Sequence, residues 1–253
     1  MKSIFFVLFL GPVSLLYGQT RIEQSFDATS VDKIKLDFHW PELIKISRWN
    51  GSTVKISGSV LINNGENDQA FKLRSSQKEG ILYVDSEIEN IDEIPNRISI
   101  KAGGTTHYFN TDDRNDPAVR QFMRDLGGKS YQYMSIGVIK EIELQVWVPE
   151  NKFLEVNARH GLLEIVNPGA SLEAHAKHGG IDITLPNDIR QIEAKTKYGQ
   201  IYSNLPYVLK SDEGKITPPN KWMVVKSDKN DGPSSLILVS KHGDIFLRKK
   251  GTN

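Results

Sequence analysis

Residues 172–183 read Leu172-Glu173-Ala174-His175-Ala176-Lys177-His178-Gly179-Gly180-Ile181-Asp182-Ile183, and this stretch decides the fold. Apolar and polar residues alternate up to Lys177, a His-Gly pair breaks the alternation, and it resumes at Ile181. That is a strand, a corner and a second strand. The same pattern stands at Leu154–Ile165, around Arg159-His160-Gly161. It stands again at Ile192–Ser203 around Lys197-Tyr198-Gly199, and at Leu236–Leu247 around Lys241-His242-Gly243. The core recurs 18 residues on from His160 to His178, 20 on to Tyr198, and 44 on to His242. Two short strands and two turns per repeat predict a parallel β-solenoid or β-roll.

The strand period of two sorts each copy into columns. Leu154, Leu172, Ile192 and Leu236 begin the core-facing parity, followed by Val156, Ala174, Ala194 and Leu238, and then by the small Ala158, Ala176, Thr196 and Ser240. His160, His178, Tyr198 and His242 end it, and are expected to form an aromatic ladder closing the core at the turn. Gly161, Gly179, Gly199 and Gly243 are expected to turn the chain with positive φ. The opposite parity faces solvent. It carries Glu155, Glu173 and Glu193 in one column and Arg159, Lys177, Lys197 and Lys241 in another. Like charges about 4.8 Å apart suit a solvated edge that resists aggregation. The same basic column is also the candidate ligand-binding strip, for an anionic glycan, lipid head group or acidic partner.

Upstream, Ile34, Leu36 and Phe38 alternate with Lys33, Lys35 and Asp37. Further strands are expected at 43–46 and 54–56 with Asn50-Gly51 as the turn, at 60–62 and 71–73 around a hairpin loop at 63–68, and at 80–86 and 97–101. One helix interrupts them. Asp116 can cap it, Pro117 suits its first position and Gly127 its end, while Val119, Phe122, Met123 and Leu126 form one apolar stripe. Packing of that stripe on the sheet is expected. The organisation is thus a leader over 1–18, N-terminal strands with the helix near 117–126 over 19–141, and repeats over 142–253, the last two continuous as one elongated domain.

Lys2, the apolar run Ile4–Leu10 and the small and polar residues around Gly18 have the three-part form of a secretory signal peptide. No later stretch has the apolar length of a spanning helix, so an exported protein is expected, in the periplasm, on the outer cell surface or secreted. Cysteine is absent, which excludes disulfides, thiolate metal sites and a lipidated cysteine. The chain carries 32 basic and 31 acidic residues, and loss of Lys2 with the leader leaves 31 against 31. That balance gives no general attraction to nucleic acid.

Catalytic signals are missing: the sequence holds no Gly-x-Ser-x-Gly elbow and no His-Glu-x-x-His. Residues 110–116 are rich in Asp and Asn but lack the order of a calcium loop. The three histidines at the corners could suggest metal, but Tyr198 in the fourth copy is a poor zinc ligand. The expectation is a protein that is not an enzyme and needs no metal or cofactor.

The recurrent Lys-His/Tyr-Gly-x-Ile core, the segment Trp49-Asn50-Gly51-Ser52-Thr53-Val54-Lys55-Ile56 and the closing Lys241-His242-Gly243-Asp244-Ile245-Phe246-Leu247 resemble a family of bacterial envelope proteins. That family holds adhesin-like β-strand-repeat domains of unknown function and is similar to the adhesin heads of some autotransporters. The resemblance covers most of the chain beyond the leader and is clearest from residue 142. It implies a right-handed parallel β-solenoid outside the cytoplasm and brings no catalytic residues with it. The leading expectation is a non-catalytic envelope or surface binding module, with an anionic envelope glycan or another envelope protein as partner. A periplasmic accessory of a membrane signalling or stress-response system is the alternative, and a polysaccharide-active β-helix enzyme the third.

Overall fold

The computed structural model describes residues 19–128, 130–169, 171–186, 191–206, 208–211, 222–227 and 235–251. The expected leader over 1–18 lies outside them. The fold is all-β with one short helix. Two sheets face each other across a single apolar core.

The strands are β1 (Thr20–Asp27), β2 (Lys33–Phe38), β3 (Leu43–Trp49), β4 (Thr53–Ile62), β5 (Phe71–Lys78), β6 (Ile81–Ile88), β7 (Arg97–Ala102), β8 (Thr105–Phe109), β9 (Tyr133–Gly137) and β10 (Lys140–Pro149). The repeats follow as β11 (Phe153–Ala158), β12 (Leu162–Val166), β13 (Ser171–Ala176), β14 (Ile181–Leu185), β15 (Gln191–Thr196) and β16 (Ile201–Ser203). Then come β17 (Leu209–Ser211), β18 (Met223–Ser227), β19 (Ser235–Ser240) and β20 (Ile245–Lys249). One sheet runs β1-β4-β10-β3-β12-β14-β20-β16 and the other β17-β18-β15-β19-β13-β11-β2-β6-β5.

Both sheets are mixed, and the parallel pairing expected of a solenoid or roll occupies a central block of each. Pairing is parallel from β10 to β16 in the first sheet and from β15 to β6 in the second. The flanks are antiparallel, through β1, β4 and β10 on one side and β5–β6 and β15–β18–β17 on the others. Antiparallel neighbours need only short turns, and the Glu79-Gly80 turn between β5 and β6, with both φ positive, is one of them. The loop at 63–70 is not the expected hairpin. It carries the chain from β4 in one sheet to β5 in the other.

Five strand pairs cross between the sheets at one edge of the sandwich: β2–β3, β11–β12, β13–β14, β15–β16 and β19–β20. Their order in space differs from their order in sequence. The last pair lies between β13–β14 and β15–β16, with Leu236 beside both Leu172 and Ile192. The alternating aliphatic residues of these pairs, such as Leu36, Val156, Ala174 and Leu238 opposite Ile46, Ile165, Ile183 and Leu247, are buried as the columns require.

Residues 97–137 form an excursion. Strands β8-β7-β9 make a small antiparallel sheet, and α1 (Pro117–Asp125) packs on it through Val119, Phe122 and Met123 against Ile98, Ile100, Phe109 and Met134. Asp116 caps the helix by accepting from the Ala118 amide at 2.8 Å, and Gly127 follows with φ +58°. The apolar stripe is therefore covered, but by this separate sheet rather than by the main ones. The neck of the excursion is polar. Buried Asn63 donates through Nδ2 to the Pro95 carbonyl at 2.8 Å and accepts from the Ile139 amide at 3.1 Å, while Arg97 donates to the Asn63 carbonyl at 2.8 Å. One side chain thus fastens the entry and exit of the excursion to the end of β4.

A second polar staple sits at the far end of β3. Buried Arg48 donates to the carbonyls of Pro168, Pro149, Lys152 and Ser171 at 2.8–3.0 Å. Burial lowers its pKa to about 10, with Glu150 acting in the opposite sense.

Candidate functional site: a basic edge beside a ladder of stacked rings

The corner where the strand pairs change sheets carries every candidate site residue. Its backbone continues the strand ladder around the bend. The amide of Arg159 donates to the Phe38 carbonyl, Lys177 to Ala158, Lys241 to Ala176 and Lys197 to Ser240, at 2.9–3.2 Å. Residues 39, 159, 177, 241 and 197 therefore follow one another in space.

The glycines have a different cause from the one the sequence suggested. Only Gly161 of the four has positive φ, at +76°. At Gly179 a Cβ would fall on the Gly161 carbonyl oxygen, at Gly243 on that of Gly179, and at Gly199 on that of Gly243. Neighbouring corners approach so closely that no side chain fits between them. The small third column serves the same contact. Buried Ser240 Oγ accepts from the Gly243 amide at 2.9 Å and lies 3.0 Å from the Gly179 carbonyl oxygen, and Thr196 Oγ1 donates to the Gly243 carbonyl at 2.9 Å.

The close approach also sets the rings face to face. His160–His178, His178–His242 and His242–Tyr198 stack with centroids 5.2, 5.1 and 4.9 Å apart and planes within 17°. Trp40 extends the ladder, 5.8 Å from His160 and 9° from its plane. The sequence reading missed Trp40, although the spacing Ile34, Leu36, Phe38, Trp40 matches Leu154, Val156, Ala158, His160. Lys140 Nζ lies 5.0 Å from the Trp40 ring centroid and Lys197 Nζ 5.2 Å from that of Tyr198, so a cation sits at each end. The ladder lies on the surface and does not close the core: His178, His242 and Tyr198 are exposed and His160 is half-buried.

Burial, then the neighbouring His178 and Arg159, holds His160 below the ordinary imidazole value; burial, then His242 and Lys177, does the same for His178. Rings stacked in this way keep corresponding nitrogens about as far apart as their centroids. Two nitrogens each about 2.0–2.1 Å from one zinc ion would have to be closer. The arrangement is that of packed rings, and among the described residues no cluster of three His, Asp or Glu side chains forms elsewhere.

Beside the ladder, two outward columns differ in charge balance. Glu155 receives Lys33 and Lys35, each at 2.7 Å. Burial pushes its carboxyl up, but the two ammonium groups outweigh that and bring it to about 2. Glu173 meets His175 at 2.8 Å, and Glu193 meets Lys195 at 2.8 Å and Lys226 at 3.4 Å. The expected run of glutamates is also broken, because the intercalated last pair puts Ile237 between Glu173 and Glu193. In the basic column no carboxylate among the described residues pairs with Arg159, Lys177, Lys241 or Lys197. The first three are exposed, and they flank a shallow groove whose floor includes Asn157 and His175 and whose acid is Asp37, 3.6 Å from His39.

No protein-family model and no curated protein matches this chain. The chain is similar in fold to a structure from Clostridium sporogenes ATCC 15579 described as a "putative cell adhesion protein". The TM-score is 0.50 at 12% identity, covering 92% of this chain and all of the other. A "putative adhesin" of Bacteroides fragilis NCTC 9343 covers 92% of this chain and 99% of its own at 9% identity, but its TM-score of 0.23 is too low to carry an argument. At these identities the likeness is one of fold.

The strand order of this chain places the corner on a long sandwich edge, where side chains repeat at strand spacing. Such an edge can hold a linear partner through many equivalent weak contacts. Among the described residues no helix is long and apolar enough to cross a membrane.

Proposed function

We propose that this protein is an exported, non-catalytic, adhesin-like module of the bacterial envelope, and that it holds an anionic envelope glycan along the basic edge. In this reading the parallel block is a right-handed β-roll. It spaces Arg159, Lys177, Lys241 and Lys197 at about 4.8 Å, the spacing of neighbouring strands. The observation that carries the reading is the contrast between columns: Glu155 and Glu193 each meet lysines and Glu173 meets a histidine, whereas the corner cations meet no carboxylate among the described residues. Cations left unpaired along a line are the arrangement that a polyanion neutralises, and salt weakens such contacts.

Reversing all four to Glu tests it. The variant is expected to fold, because these side chains point outward, and to lose salt-sensitive retention on an immobilised polyanion. Retention of the folded variant equal to that of the parent at low salt would remove the basic edge as the binding site.

A second reading, an accessory that docks on another envelope protein, is favoured by one observation. Tyr131, Tyr133 and Ile136 on the excursion are 41–46% exposed, and aromatic side chains of this kind are common in protein interfaces.

A further inference from the structure

A wide concavity lies on the other sheet from the basic column. It is a groove of about 1170 Å³ on the outer face of β1, β4, β10 and β3. Small-molecule sites usually enclose about 300–1,000 Å³, so this one suits an extended chain.

Two indoles face it. Strand parity puts Trp147 of β10 opposite Lys55 of β4 and beside Ser47 of β3, with Trp49 two residues further along β3. Trp49 is fixed in place: its indole N–H donates to the Thr53 carbonyl at 2.9 Å, and Lys55 Nζ lies 4.3 Å from the ring centroid. Trp147 is half-buried, and its indole N–H has no partner among the described residues. A flat ring at a groove, with a hydrogen-bond donor on its edge, can serve as a stacking platform for a ligand that also offers acceptors.

Charge and backbone chemistry narrow what that ligand is. Lys45 turns to Glu164 at 3.7 Å. The remaining charges balance, Arg21 and Lys55 against Glu23 and Glu143. That balance contrasts with the basic edge and gives a polyanion no advantage. An extended peptide binds by main-chain pairing at a sheet edge, but of the groove's four strands only β1 is an edge, and the strands that carry the two indoles, β3 and β10, are paired on both sides. A sugar chain carries its own donors and acceptors. The C–H face of a pyranose ring can lie on an indole while its hydroxyls meet amide and hydroxyl side chains.

We propose that this groove is a second binding site, for an extended neutral oligosaccharide, with Trp147 and Trp49 as stacking platforms and Gln145, Ser57 and Ser59 as its hydrogen-bonding groups. It is independent of the basic edge, and either site can fail without the other.

The test uses the purified protein with soluble neutral polysaccharides, namely a mixed-linkage β-glucan, an α-mannan and a galactomannan. Binding is read by tryptophan fluorescence titration and by retardation in gels containing each polymer. A saturable change with at least one polymer is expected. Trp147→Ala should weaken it at least about tenfold, the order of effect of losing a central aromatic anchor, and Gln145→Ala should weaken it less. The quadruple Glu variant of the basic edge should bind as the parent does. If Trp147→Ala fails to fold, Trp147→Phe combined with Gln145→Ala gives the same readout. Absence of binding to all three polymers, undiminished affinity in the folded variants, or dependence on salt would overturn the proposal. New reducing ends on incubation would also overturn it, in favour of a catalytic groove.

Discussion

The stacked corners and the excursion at 97–137 are held together by opposite means. At the corners, backbone meets backbone with glycine between, and each strand pair is fixed by its two neighbours. The excursion has a small core of its own, centred on Ile98, Ile100 and Val119, and one buried polar neck built on Asn63. A repeated contact can tolerate no bulk anywhere along its length, whereas a single neck concentrates its importance in one side chain.

The sharpest way to break the corner is Gly179→Val. Its side chain would collide with the Gly161 carbonyl, backbone that is itself fixed by the next corner. The expected loss exceeds about 4 kcal/mol, the range reserved for severe core damage. Lys177→Glu, two residues earlier and exposed, should change stability by less than about 0.5 kcal/mol. Chemical denaturation of the two variants side by side checks the difference, and equal midpoints would show that the corners can separate.

The excursion should break differently. Asn63→Leu leaves the Ile139 amide and the Pro95 carbonyl without their partner, and it puts a bulky residue at φ +49°. A cost of about 2–4 kcal/mol is expected. Amide hydrogen exchange should show β7, β8 and β9 losing protection while β11, β13 and β14 keep theirs. Uniform loss across both regions would mean that the neck belongs to the main core.

The contrast also explains what the sequence could tell. Four copies of one strand–corner–strand pattern state their own columns, so the core residues, the outward cations and the ring ladder are legible from residues 154–247. The helix is legible too, because Asp116, Pro117 and Gly127 are local signals. The order of the strand pairs is not, since all four copies present the same edges and each could in principle pair with any other. Arg48 and Asn63 are equally silent: their partners are backbone carbonyls and amides, which every residue has, brought together from up to 123 positions away. The glycine reading failed for a related reason. A recurring glycine signals either positive φ or close approach, and only the neighbouring strand pair decides which.

The smallest effect is expected with pH. His160 and His178 are held below the ordinary imidazole value, so the unfolded chain takes up protons first as pH falls through about 6.5. The ladder therefore loses stability in that window and levels off below the folded values. Glu155, depressed to about 2, keeps its contribution until pH drops below about 4.5 and so does not interfere. The thermal midpoint should be slightly lower at pH 5.5 than at 7.5, and His178→Phe should reduce that difference. An unchanged difference in His178→Phe would place the titration elsewhere.

The intercalated last pair has a consequence for how the chain is made. A ribosome produces β15 and β16 before β19 and β20, yet the parallel neighbours of the earlier pair are these later strands. When residue 203 emerges, the place beside β13 and β14 is still vacant, and β15 that moved there would occupy its successor's seat. The stack therefore cannot be completed in order of synthesis. It stays open until the final seventeen or so described residues arrive, in the manner of a keystone. Strands β19 and β20, made after both of their neighbours, lock the arrangement of the strands that preceded them.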